Sequence, residues 1–365
     1  MRGAWARLVD ETRAWPGTTV ISHENFSTAS PEQAKAAVTD LDFAEVHLVL
    51  TVRDLARQIP AAWQEDIKNR HVLGFADYVL ALREDRRIPQ VTGFWRMQDP
   101  VDVLARWGES VPPERIHVVT VPPADAPRES LWRRFAELTG IDPAACDVAE
   151  VDANPSLGVV EAAMLRRVNR ALNDYGGDSA LDRPAYERYV KDRLTSRVLR
   201  RRPGGGRPRL PAAEYPWVAE RSAATVRALR EAGYAVVGDL AELLPAAPAA
   251  GDAADAPPHP DDVAESAVAA TAVESAAFLL TELAAAAGDA HAARAELARE
   301  RAEHARARQA LDELRAEVAD DRAKPIYKMV VRRLSERHPL VMRLRVAYWH
   351  LVEHLRDRRG RLKRG

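Results

Sequence analysis

Residues 46–68 read VHLVLTVRDLARQIPAAWQEDIK, and this stretch decides the fold. Val46–Val52 is apolar, rich in β-branched residues, and short enough to be a buried strand. It ends on Arg53-Asp54, and a helix-like stretch follows at roughly 56–70. Thr19-Val20-Ile21-Ser22 and Ile116–Val121 have the same strand-like character. Further helix-like stretches fall at roughly 31–41, 75–87, 99–107 and 129–139. Ser30-Pro31-Glu32-Gln33 opens the first of these with an N-cap serine, a proline at N1 and a glutamine at N3. Strands alternating with helices predict an α/β fold whose parallel sheet is covered on both faces. Residues 158–200 and 215–232 read as more helices, separated by the Arg/Gly/Pro loop Arg200–Pro211.

The chain has 365 residues, 47% hydrophobic and 29% charged. That is room for two domains of roughly 150 residues, or for one larger domain with a tail. A single cysteine, Cys146, excludes a disulfide framework and any multi-cysteine metal site, so a reducing compartment is expected. The ten histidines show no metal-ligand spacing. No run of about 18 apolar residues predicts a membrane-spanning helix. The opening MRGAWARLVDETRAW is charged and amphipathic, unlike a secretory signal. These features predict a soluble, cytoplasmic protein.

Charge is segregated along the chain. Residues 1–245 carry 33 basic and 35 acidic residues, whereas 246–323 carry seven arginines against sixteen acids. Residues 324–365 carry thirteen Lys/Arg against three acids. The organisation read from this is an α/β domain over 1–245, an Ala/Pro/Asp linker over 246–260, an acidic Ala-rich helix over 261–322 and a basic amphipathic helical tail over 323–365. Leu297, Leu311, Leu314 and Val318 fit a coiled-coil seam that Glu300 and His304 interrupt, so a coiled coil and a solvated helix both stay open. Pro325 ends that helix, and Pro339 kinks or breaks the next. The tail interleaves apolar residues, Tyr348 and Trp349 among them, with arginines, which fits an anionic membrane surface or self-association through 261–365. Nothing in it matches a nucleic-acid-binding motif.

Two strand ends carry chemistry. Val20-Ile21 runs into Ser22-His23-Glu24, and Leu48–Val52 runs into Arg53. In a parallel sheet, ligands bind beyond the carboxyl ends of the strands, so both clusters are expected in one crevice. An arginine there suits a phosphate or sulfate, because its fork makes bidentate charge-assisted hydrogen bonds. Glu24 or His23 there suits a general base. Each cluster also has a plain structural reading, as a helix cap and as an ion pair. Trp63, Gln64, Glu65 and Lys68 on the following helix strengthen the functional one.

The strand–Arg-Asp–helix pattern of residues 46–68 resembles the 3′-phosphate-binding segment of sulfotransferases that use 3′-phosphoadenosine 5′-phosphosulfate. VISHENFS, FWRMQDPVDVLARW, IHVVTVPP, LWRRFAELTGI, NPSLGVVEAAMLRRVN and YAVVGDLAELLP extend the likeness to bacterial sulfotransferase-family proteins over about 1–245. The resemblance implies a P-loop-NTPase-like fold, with Arg53 and Ser22 on the donor side and no metal. It also implies Glu24 as the base that deprotonates the acceptor's hydroxyl, on a glycan or small molecule, assisted by His23. Two features depart from the family. Ala61 stands where a serine usually joins the 3′-phosphate site, and no strand followed by a Gly/Lys/Thr-rich loop and a helix precedes residue 30. Pro16-Gly17-Thr18-Thr19 has no lysine and leads into a strand-like run. Two expectations follow: a native chain that starts upstream of Met1, which the mid-family character of MRGAWARLVDETRAW favours, or a P-loop-less binding or scaffold protein.

Of the remaining residues, Asn154-Pro155-Ser156 reads as a helix cap, Arg200–Pro211 as a solvated loop, and Trp95, Trp107 and Trp132 as core.

Overall fold

The computed structural model describes residues 3–146, 156–174, 181–202, 206–246, 257–323 and 326–362. The chain divides into two compact units, Met1–Leu280 and Thr281–Gly365.

The first unit is built on a three-stranded parallel sheet in the order β1 (Leu48–Val52), β2 (Ile116–Thr120), β3 (Ala235–Val237). Leu48 lies opposite Ile116 and Val52 opposite Thr120, while His117 faces Ala235 across the other edge of β2. Parallel neighbours need long crossovers. Helices α3 (Leu55–Lys68), α4 (Phe75–Arg83), α5 (Pro89–Gln98) and α6 (Pro100–Gly108) make the first. The second runs through α7 (Ser130–Thr139), α8 (Val159–Asp174), α9 (Arg183–Tyr186), π-type turns over Glu187–Val198, and α10 (Tyr215–Glu231). Helices α1 (Ala4–Ala14) and α2 (Pro31–Asp40) precede the sheet. Ser30 closes the expected capping box on α2: its hydroxyl accepts from Gln33 N at 3.2 Å, and its own N–H donates to Gln33 Oε1 at 2.9 Å.

Two clusters of buried side chains hold this unit together. Val52, Ile116 and Val118 of the sheet pack with Leu104 of α6 and Val226 and Leu229 of α10. A second, all-helical cluster centres on Ile59, Trp63, Phe75, Tyr78, Leu82 and Leu165. Trp63 is fully buried and Gln64 donates to Leu157 O at 2.6 Å, so both are structural and stand apart from the crevice. The two neighbours singled out with them, Glu65 and Lys68, pair with each other on the same helix. Trp95, Trp107 and Trp132, expected in the core, are half-buried instead, and of the three Trp95 packs against the helical cluster while Trp107 lines the cavity beside β1.

Several expectations are corrected. Thr19-Val20-Ile21-Ser22 is not a strand: among the described residues no backbone hydrogen bond joins it to β1, and Val20 is 49% exposed. High β propensity produces a strand only where a neighbouring edge accepts the pairing. The sheet is also not covered on both faces throughout. Every residue of β2 is buried, but on β1 Val49 and Thr51 are exposed. The segment read as a solvated loop is partly interior. Pro208 and Leu210 are buried, Arg202 pairs with Glu161 at 3.1 Å and also with Glu274, and Gly206 O accepts from Val159 N at 3.0 Å. The cap expected from Asn154 lies outside the described residues.

Helix α11 (Glu265–Ala323) is 59 residues long, roughly 90 Å at 1.5 Å per residue. Its opening turns belong to the first unit, where Val268, Thr271 and Ser275 are buried and Leu279 packs on the helical core. An 18-residue window of this helix reaches a mean hydropathy of 1.4, long and apolar enough to span a membrane by length and composition. The sequence reading missed it because the window is carried by alanines around Glu274 and Glu282 rather than by an unbroken apolar run. In the second unit the seam residues Leu297, Leu311, Leu314 and Val318 are all exposed. Pro339 breaks the tail, as expected, into α12 (Ile326–Arg337) and α13 (Pro339–Leu362).

Candidate functional site

A cavity of about 1110 Å³ opens beside β1. Ser22, His23 and Glu24 line it from the N-terminal segment, and the whole of β1 and Arg53 line it from the sheet. The structure therefore brings the four residues read from the two segment ends to one cavity, although only one of those segments is a strand.

Arg53 follows β1 directly, where the chain leaves the sheet for α3. Asp54 caps that helix by accepting from Arg57 N at 2.9 Å, and its carboxylate also pairs with the Arg57 side chain. Arg57 is then fully committed: it donates to Pro122 O at 2.8 Å and Val121 O at 3.3 Å, tying the end of β1 to the end of β2. Arg53 is different. Its Nε is buried and has no hydrogen-bond partner among the described residues. Burial lowers its pKa from the usual arginine value; the positive charges of Arg57 and Arg207 lower it further, and only Asp54 acts in the opposite sense. A half-buried guanidinium whose buried Nε is a free donor and which feels two other cations is an electrostatic deficit that an anion would relieve. Spacing gave no sign of Arg207, since 154 positions separate it from Arg53 and its loop reads as solvated.

The opposite side is held by packing. His23 is extended, and its Nδ1 accepts from Asn25 N at 3.1 Å, opening the 3₁₀ turn Glu24–Thr28. Trp107 Nε1 donates to Phe26 O at 2.9 Å, and the Phe26 ring meets the rings of Trp107 and Trp5 edge-on. Arg106 donates to Ser27 O at 2.8 Å, to Arg96 O at 2.6 Å and also to Ala29 O. Helix α6 thus fixes the turn that carries Glu24. The sequence signals for this are only the adjacent Arg106-Trp107, which also suit an ordinary amphipathic helix.

The accepting Nδ1 places the proton of neutral His23 on Nε2, making that nitrogen a donor. Glu24 is exposed and forms no ion pair among the described residues.

At the other end of the cavity His47 Nδ1 lies 2.8 Å from His117 Nε2, with the rings stacked, and Glu45 sits 3.2 Å from His47 Nε2. Burial and the neighbouring ring lower the pKa of His117. Seventy residues separate the two histidines, so only sheet register could reveal the pair. Among the described residues no group of three or more His, Cys, Asp or Glu side chains is arranged to hold a metal ion. Cys146 is exposed and lies outside both groups. Compared with known proteins, the chain matches no protein-family model, no curated protein and no solved structure.

Proposed function

We propose that this chain is sulfotransferase-like, with a P-loop-related α/β body, and that its cavity receives 3′-phosphoadenosine 5′-phosphosulfate and a hydroxyl-bearing acceptor, a glycan or a small molecule. The observation that carries the reading is Arg53, a guanidinium at the carboxyl end of a parallel strand whose buried Nε lacks a partner. Its free donor and the positive charge of Arg207 suit a phosphate of the donor, with Ser22 beside it in the same cavity. Bound there, the donor would supply the sulfuryl group: the acceptor oxygen would bond to sulfur as the bond from sulfur to the 5′-phosphate oxygen breaks and 3′-phosphoadenosine 5′-phosphate leaves. Glu24 takes the proton of the acceptor hydroxyl, and His23 offers its Nε2–H as a hydrogen-bond donor.

A second reading is favoured by a specific departure. Among the described residues before 30 there is no strand running into a Gly/Lys/Thr-rich loop and a helix, which would cradle a phosphosulfate on backbone N–H groups. The residues present suit the 3′-phosphate end of the donor better than its reactive end. In this second reading the chain binds a nucleotide, or a partner through its helical extension, without transferring sulfate.

Calorimetric titration of the 365-residue chain with 3′-phosphoadenosine 5′-phosphate, repeated on Arg53→Ala, tests the donor site. Binding lost in the variant supports it. No binding by a folded wild-type chain removes the transferase reading.

A further inference from the structure

The second unit presents an unusual surface in α12 and α13. On α12, Ile326, Tyr327, Val330, Val331 and Leu334 are all exposed. On α13, Leu340, Leu344, Tyr348, Leu351 and Leu355 recur at three- and four-residue steps, which aligns them along one face. Their exposure runs from 73% at Leu340 to 53% at Leu355, so no element of the unit covers this stripe. Cations run beside it. Arg343, Arg345 and Arg356 have no carboxylate partner among the described residues, and one ion pair, Arg332 with Glu336 at 3.2 Å, is found on α12.

The charge decides what covers the stripe. Residues 324–365 carry a net +10, from thirteen basic and three acidic residues. The part of α11 in the same unit, residues 281–323, interleaves ten acids with seven arginines, a net of only −3. Packing this face on α11, or on a second copy of itself, would leave most of that positive charge unbalanced. An anionic bilayer supplies both requirements together: a dense negative surface for the arginines and an apolar layer just beneath it. Tyr348 and Trp349, both exposed, have the amphipathic rings favoured at the headgroup level.

We propose that α12 and α13 lie in the interface of an anionic membrane, apolar stripe inward, and anchor the chain peripherally. The proposal does not depend on what the cavity beside β1 binds.

The test is flotation of the full chain with phosphatidylcholine vesicles and with vesicles containing one-third phosphatidylglycerol. Two variants accompany it: Leu344→Asp/Tyr348→Asp, which breaks the stripe, and Arg343→Gln/Arg345→Gln/Arg356→Gln, which removes charge. All the substituted side chains are exposed, and circular dichroism of each variant verifies its helix content. Binding to the anionic vesicles alone is expected. Each variant should weaken it more than tenfold, the arginine variant by roughly 100-fold at low salt from about a fivefold effect for each of its three charges. Three results would overturn the proposal: no flotation with anionic lipid, flotation unchanged by the stripe variant, or a lipid-free oligomer that sediments as one species and ignores vesicles.

Discussion

Arg134 and Glu242, 108 residues apart, form a two-point ion pair at 2.6 and 2.8 Å. Thr120, fully buried at the end of β2, completes it: its hydroxyl donates to Glu242 at 2.5 Å, and its carbonyl accepts from Arg134 at 2.7 Å. The cluster fastens α7 and the turn after β3 to the carboxyl end of the sheet. It therefore sets where β2 stops, next to the loop that Arg57 grips.

This pairing makes stability acid-sensitive. Arg134 and then Thr120 hydrogen bonds hold the Glu242 carboxyl down at about 2, against burial, which acts in the opposite sense. A lowered folded-state pKa contributes stability that is full above the ordinary glutamate range and is lost as pH falls towards 2. Glu242→Gln is expected to cost about 1–3 kcal/mol at pH 7. In urea melts, the gap between wild type and variant should close by pH 2; a gap independent of pH would contradict the assignment.

Gly238 stands at φ +104°, where a Cβ would overlap the Thr120 hydroxyl and the Arg134 guanidinium. Both strain and overlap act on Gly238→Ala, which should destabilise by about 2 kcal/mol or more. Gly140→Ala, also at positive φ but in open space, provides the control for strain alone and should cost clearly less. Equal losses in chemical denaturation would show that the cluster does not press on Gly238.

Asp66 gives the opposite pH dependence. Burial, then the charge of Glu65, raises its pKa to about 7. Its folded-state pKa lies above the unfolded value, so its contribution is full below about pH 4 and is lost as pH rises through 7. Asp66→Asn should melt at a higher temperature than wild type at pH 8 and with no such advantage at pH 4. A constant offset between the two melts would refute this.

Tyr78 is 1% exposed, and its hydroxyl has no hydrogen-bond partner among the described residues. Removing an unsatisfied buried hydroxyl while keeping the ring should be neutral or stabilise by about 1 kcal/mol. Tyr78→Phe is checked by urea denaturation at pH 7. A loss of more than about 1 kcal/mol would mean the hydroxyl is satisfied in solution.

The two sides of the cavity should separate experimentally. Glu24→Gln is expected to leave binding of 3′-phosphoadenosine 5′-phosphate unchanged by calorimetry, whereas Arg53→Ala abolishes it. In any acceptor assay that detects transfer, Glu24→Gln should lower kcat by about 100-fold or more. An equal loss of nucleotide affinity in Glu24→Gln would move Glu24 from the acceptor side to the donor side.

The sequence alone determined the local elements. Leu48–Val52 and Ile116–Thr120 are strands because β-branched runs of that length bounded by polar residues suit little else. Ser30 starts α2 through its capping box, and Pro339 breaks the tail. It also determined the charge segregation of the C-terminal region and the place of Arg53 at a strand end. Tertiary structure decided the rest, because pairing and burial depend on partners remote in the chain. Thr19–Ser22 has the composition of a strand but meets no edge, while Ala235–Val237, too short to signal itself, pairs with β2. Trp63 and Gln64 look like site residues beside Arg53, yet α3 turns them into the helical core. The Arg57 guanidinium reaches Asp54 and the carbonyls of Val121 and Pro122, while Arg53 Nε meets no partner among the described residues, a matter of contacts that periodicity does not encode.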